Sequence, residues 1–204
     1  MIDKITDKNW KVKKEAYDKI EQVLENAKYR IEPNGLSNLM GALKLGLVDK
    51  NKNVLKTALK TICKLAKSLG PGCKHYNKTI VTKLLEGLSD KTTLVRNCNI
   101  EAIEAWKDAV GAEYIISLSG RAMKPENPEI RSALLKWIMD NKASIPKADT
   151  ANLVPSLIKC LQDKNPPIRA AAEEVVVEVM KVVPMSAFSE VIQDLKPAVK
   201  QTMK

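Results

Sequence analysis

The amino-acid sequence predicts an all-α protein, an α-solenoid of five to six helical hairpins, and three observations predict it. The first is a seven-residue pattern, Asp-Lys-x-x-x-[Val/Ile]-[Lys/Arg], which occurs at Asp7–Lys13, Asp90–Arg96 and Asp163–Arg169. A variant at Asp49–Leu55 carries Lys56 one place late, and another keeps only Ile130-Arg131, with Pro125 in the Asp place. The successive spacings are 42, 41, 35 and 38 residues. Self-similarity near 40 residues marks repeats that bury an apolar face only against their neighbours. The second observation is apolar residues at helical spacing between these occurrences, and the third is that no segment alternates in the two-residue period of a strand.

Taken in order, the first stripe is Val12, Ala16, Ile20, Val23, Leu24 and Ala27, ended by Pro33 and Gly35. A helix over about 36–48 follows, then the Asp49 turn, then a helix bearing Val54, Ala58, Ile62, Leu65, Ala66 and Leu69. Gly70-Pro71-Gly72 breaks that helix. The third pair spans roughly 75–88 and 92–110, closed by Gly111, and the fourth 113–123 and 127–141. Asp149 or Thr150 is the expected cap of a helix running from Asn152 to Leu161, because a short side-chain oxygen satisfies free helix amides. Its partner, 167–182, begins with proline at a first-turn position, where no N–H is missed. Pro184 separates it from a terminal helical stretch that Pro197 breaks. Within each hairpin the Asp suits the turn, the Val or Ile opens the buried stripe, and the adjacent base reaches an Asp of its own or a neighbouring repeat.

The chain of 204 residues is long enough for one domain with a substantial core, supplied mainly by aliphatic residues since only 4% are aromatic. No run approaches the roughly 18 apolar residues of a membrane span. The N-terminus has no apolar signal segment, so the chain reads as cytosolic. Cys63, Cys73, Cys98 and Cys160 are scattered and His75 stands alone; buried or half-buried thiols, with no metal and no cofactor, are expected. The net charge of +10 favours an acidic partner: nucleic acid, an anionic membrane or a protein with an acidic face.

The stretch Asn152–Asp163 with Pro167-Ile168-Arg169 resembles a HEAT repeat, with a first-helix proline, a turn Asp and a second-helix Arg. Asp7-Lys-Asn-Trp-Lys-Val-Lys-Lys-Glu-Ala16 resembles the first turn of a TOG domain, the six-repeat HEAT solenoid found in arrays in the ch-TOG/Mini spindles family of microtubule polymerases. The resemblance covers nearly the whole chain and includes Glu104-Ala-Trp106 and Leu135-Lys-Trp137. It implies a flat paddle, a single TOG-like domain over residues 1–204, whose intra-hairpin turns line one edge and bind the αβ-tubulin heterodimer. Trp10 takes the first-turn aromatic role, with Lys11 beside it. Lys50, Lys52, Lys91 and Arg96 fall in the second and third turns, and Lys164, Asn165 and Arg169 in the fifth. The fourth turn, Glu126-Asn127-Pro128, departs from the basic pattern. Only Met1–Ile5 stands for the first helix of repeat one, which fits a fragment of a longer, multi-domain array. The implied setting is the cytoplasm and its microtubules, spindle and centrosome, with the isolated domain a monomer and no membrane partner.

Residue geometry weighs these assignments. Trp10 lies two residues before Val12, roughly 200° around the helix from the buried stripe, on a face with Lys13, Lys14 and Tyr17. An aromatic among lysines at a turn wants a partner to cover it; the bland alternative is a local cap on its own hairpin. Trp106 and Trp137 share their faces with aliphatic residues and belong in the core. Arg96, Arg131 and Arg169 stand where HEAT arginines bridge repeats. Binding of nucleic acid, or of another acidic cytosolic protein, by the stacked lysines is the alternative function. Basic residues on the opposite edge (Lys67, Lys74, Lys78, Lys142, Lys147) speak against nucleic acid. A catalytic role lacks a nucleophile–base pair, metal ligands or a phosphate-cradling loop.

Overall fold

A computed structural model describes residues 2–32, 34–124, 126–184 and 186–188. The chain divides into two compact units, 1–111 and 112–204. The first contains a 3-10 segment Ile2–Thr6, α1 (Trp10–Asn26), α2 (Ser37–Gly46), α3 (Lys52–Leu69), a 3-10 segment Gly70–Tyr76, α4 (Asn77–Gly87) and α5 (Thr93–Val110). Helix α3 packs between α1 and α5, while α2 packs on α4 and on the first 3-10 segment. First legs of the hairpins thus form one layer and second legs the other. The second unit contains α6 (Glu113–Ala122), α7 (Pro128–Asp140), a 3-10 segment Lys142–Lys147, α8 (Val154–Leu161) and α9 (Pro166–Met180), with α6 on α8 and α7 on α9. Among the described residues there is no strand, and the all-α hairpin architecture is borne out. The stretch expected after Pro184 is described only at 186–188; Pro197 and the rest of a sixth hairpin lie outside the described residues.

The turns fold as they do because Asp and Asn compete well for backbone amides. In four hairpins the Asp Oδ1 accepts the N–H two residues on: Asn9 to Asp7 at 2.7 Å, Asn51 to Asp49 at 2.8 Å, Thr92 to Asp90 at 2.9 Å and Asn165 to Asp163 at 2.9 Å. The residue so held keeps an extended backbone, ψ 112–116°, and becomes the N-cap of the second helix. Asn9 and Asn51 then accept from the helix amides of Lys11 and Asn53 at 3.0 and 2.9 Å. The Val or Ile of the pattern follows into the core: Val54, Val95, Ile130 and Ile168 are buried, and Val12 half-buried.

Four local expectations are corrected. Helix α1 stops at Asn26, before Pro33, because Lys28 and Tyr29 take left-handed φ of 50° and 55° and the Tyr29 N–H closes on the Leu24 carbonyl at 2.9 Å. Lys67 lies over the Tyr29 ring at 4.6 Å and holds that exit. Within α1, Val23 is exposed and Tyr17 fully buried, the reverse of the expected faces. Gly46 explains Tyr17: the phenol occupies the space a Cβ would need there, so the ring enters against the last turn of α2. Neither Asp149 nor Thr150 caps α8. Thr150 is buried and its carbonyl accepts the Leu153 N–H at 2.9 Å, adding a turn before Val154, where Pro155 removes one donor that would need a cap. The helix expected from His75 starts at Asn77, the chain running as a 3-10 turn after the Gly70 break.

Candidate functional site: the turns between paired helices

The three tryptophans separate sharply. Trp10, the first residue of α1, is 40% exposed, whereas Trp106 is 0% and Trp137 5% exposed. The Trp106 indole N–H donates to Asn77 Oδ1 at 2.7 Å, so even its polar edge is satisfied inside. Trp10 therefore faces solvent at the first turn, with Lys8 and Lys11 exposed beside it.

The turn cations divide into free and engaged. Lys11, Lys50, Lys91 and Lys164 are exposed, as is the neutral Asn165. Lys52 is exposed along its stem, but its ammonium is paired with Asp90 of the next turn. Burial opposes ionisation of Asp90, yet the Lys52 ammonium and the Thr92 amide outweigh it and hold the carboxyl below its ordinary pKa. Lys13 likewise pairs with Asp49 at 2.5 Å, and Arg131 with Asp163 at 2.6 Å. Each of these aspartates thus uses Oδ1 for its own turn and Oδ2 for a base of the preceding hairpin. Arg96 and Arg169 instead clasp their own turns. Arg96 Nη1 donates to the Asp90 carbonyl at 2.7 Å and the Lys91 carbonyl at 3.2 Å; Arg169 Nη1 donates to the Asp163 and Lys164 carbonyls at 2.7 and 3.3 Å. Their position fixes the turn shape that presents Lys91 and Lys164.

Two site residues escape a reading by pattern alone. Val48 and Leu94 are 53% and 55% exposed at the second and third turns, so the first unit presents a large apolar side chain at each of its three turns. Leu94 was legible in principle, since it sits one step, about 100°, from the buried Val95. A groove of ≈ 380 Å³ runs between the second and third turns, bordered by Leu47, Val48, Lys50, Leu55, Asp90 and Val95.

Among the described residues no group of His, Cys, Asp and Glu is placed to hold a metal ion. Cys73 and Cys160 are buried and Cys63 and Cys98 half-buried, all as free thiols. Burial pushes Cys73 up to about 12, and pushes Cys63 and Cys160 up to about 11, so these remain protonated at neutral pH. No described helix is long and apolar enough to cross a membrane.

Residues 2–204 match the family described as CLASP N terminal. The chain belongs to that family. It is 27% identical to the mini spindles protein of Drosophila melanogaster over 98% of this chain, a match that covers 10% of that protein. The chain spans about a tenth of the length of the first curated relatives it matches. A solved chain from work on microtubule plus-end tracking by XMAP215, CLIP-170 and EB1 superimposes with TM-score 0.66 at 25% identity, covering 98% of this chain and 86% of that one. The TOG domain of C. elegans Zyg9 superimposes with TM-score 0.71 at 18% identity, covering 98% of this chain and 76% of that one, and shares the fold. The resemblance to TOG domains of the Mini spindles family is borne out.

Proposed function

We propose that this chain is a tubulin-binding module, one TOG domain over residues 1–204 from a longer array, that engages the αβ-tubulin heterodimer through its intra-hairpin turns. Through them it contributes to microtubule polymerisation in the cytoplasm, at the spindle and at the centrosome. The single observation that carries the reading is Trp10, held exposed at a turn by the Asp7–Asn9 cap while the other tryptophans are buried. Exposed aromatics rimmed by polar residues are the anchors of protein interfaces. Trp10 and Lys11 form the first contact; Lys50 and Lys91 meet acidic surface at the second and third turns, with Lys52 between them tied to Asp90 and offering its remaining N–H groups; Lys164 and Asn165 do so at the fifth. Arg96 and Arg169 act by holding turns three and five in shape. Family membership and the mini spindles relative support the reading.

The test is gel filtration and a binding titration with purified tubulin. Trp10→Ala removes most of the binding, about 2 kcal/mol or more, and leaves the melting temperature nearly unchanged. The interface weakens from about 50 to 200 mM salt as its exposed charges are screened. Tight binding to duplex DNA without tubulin binding under the same conditions would sink the proposal.

A further inference from the structure

Asp7 carries an acceptor oxygen that its three sister aspartates spend on a cation. At Asp49, Asp90 and Asp163, Oδ1 holds the turn amide and Oδ2 takes Lys13, Lys52 and Arg131 respectively. Asp7 repeats the first half of this arrangement, accepting the Asn9 N–H at 2.7 Å. Its Oδ2 meets no base among the described residues, and the side chain stands in an exposed turn. Lys13, the base of its own pattern, is committed to Asp49. The residue after the amide that Asp7 holds is Trp10, the exposed indole.

A carboxylate and an indole at one turn form a receptor for a cation, which gains an ion pair from the first and the ring quadrupole from the second. We propose that Asp7, with Trp10, takes a Lys or Arg side chain of the protein partner, so that the ladder joining successive hairpins inside the chain is repeated once across the interface. The inference rests on the tubulin reading and adds a requirement to it. The turn lysines, Lys8 and Lys11 included, ask for acidic surface, whereas Asp7 among them asks for one base on that surface. That reversal of sign fixes the register of docking, because a partner shifted along the turns would set like charges opposite one another.

Asp7→Asn keeps an oxygen for the Asn9 amide and changes only the charge; Asp7→Ser, which keeps a hydroxyl for the same turn, is the second neutral variant. If Asp7 were a bystander, removing a negative charge from a chain of net +10 would leave binding to an acidic partner equal or tighter. A docked Asp7 gives the opposite sign. The expected result is about a tenfold weaker Kd for tubulin in both variants, with unchanged melting temperature. Glu15→Gln, which neutralises an exposed carboxylate on α1, gives equal or tighter binding. Binding at wild-type strength by either folded variant overturns the assignment and leaves the tubulin reading standing. Failure of the wild-type chain to bind tubulin overturns both.

Discussion

The two compact units use one kind of turn and bury it to different depths. In the first unit the inter-hairpin ion pairs are Lys13–Asp49, with side chains 20% and 12% exposed, and Lys52–Asp90, at 49% and 14%. In the second, Arg131–Asp163 is 9% and 8% exposed, and Arg131 also donates to the Lys124 carbonyl at 2.7 Å. The fourth turn has Pro125 where the others have Asp, and its base is an arginine. A guanidinium can donate to a carboxylate and a carbonyl at once, whereas an ammonium is a compact, strongly hydrated charge that prefers an open site. The lesson is that one sequence pattern yields either a wet link or a dry one, whose loss is the costlier because it strands a buried charge. The surroundings of the pair decide which.

Substitutions can break that comparison, and the largest effect lies in the core. Trp106→Ala removes a fully buried indole and leaves Asn77 without its donor, and should cost roughly 3–5 kcal/mol in urea denaturation. Arg131→Ala comes next, at about 3 kcal/mol, because it strands a buried Asp163 carboxylate whose remaining described donor is the Asn165 amide. Lys13→Ala, at a half-buried pair, should cost about 1 kcal/mol, and Lys52→Ala less than about 0.5 kcal/mol, since half of that side chain is already in water. Equal losses for Arg131→Ala and Lys52→Ala would show that burial does not set the strength of these links.

Acid sharpens the same contrast. Asp90 titrates below its ordinary value of 3.8 in the folded chain, so its contribution is present above that value and is lost as pH falls through the lower folded one. Denaturation midpoints for wild type and Asp90→Asn should therefore converge below about pH 3.8 and separate modestly above it. The smallest stability change is expected at Lys164→Glu, under about 0.5 kcal/mol. It should nonetheless weaken tubulin binding, while Lys147→Glu, away from the intra-hairpin turns, changes neither. Loss of binding from both would reassign the recognition surface.

The turns, and through them the fold, follow from local sequence. Four of the turns are closed within three residues, by an Asp oxygen and an amide two places on, so a local pattern suffices to place those hairpins and their period. Helical spacing, which puts neighbours three and four residues apart on one face, also placed Trp106 and Trp137 inside; Trp10 is exposed as expected, although Tyr17, assigned to the same face, is buried. Tertiary structure alone decided the rest. Tyr17 is buried because Gly46, 29 residues away, leaves room for a ring, and Lys52 is tied because Asp90 arrives from the next hairpin. Arg96 and Arg169 close on their own turns while Arg131 holds its own turn and also crosses to its neighbour's, a difference that one hairpin's sequence does not contain. The physical reason is range: a hydrogen bond to an adjacent amide is fixed by the local chain, whereas the partner of a long side chain depends on which distant segment the packed core brings within reach.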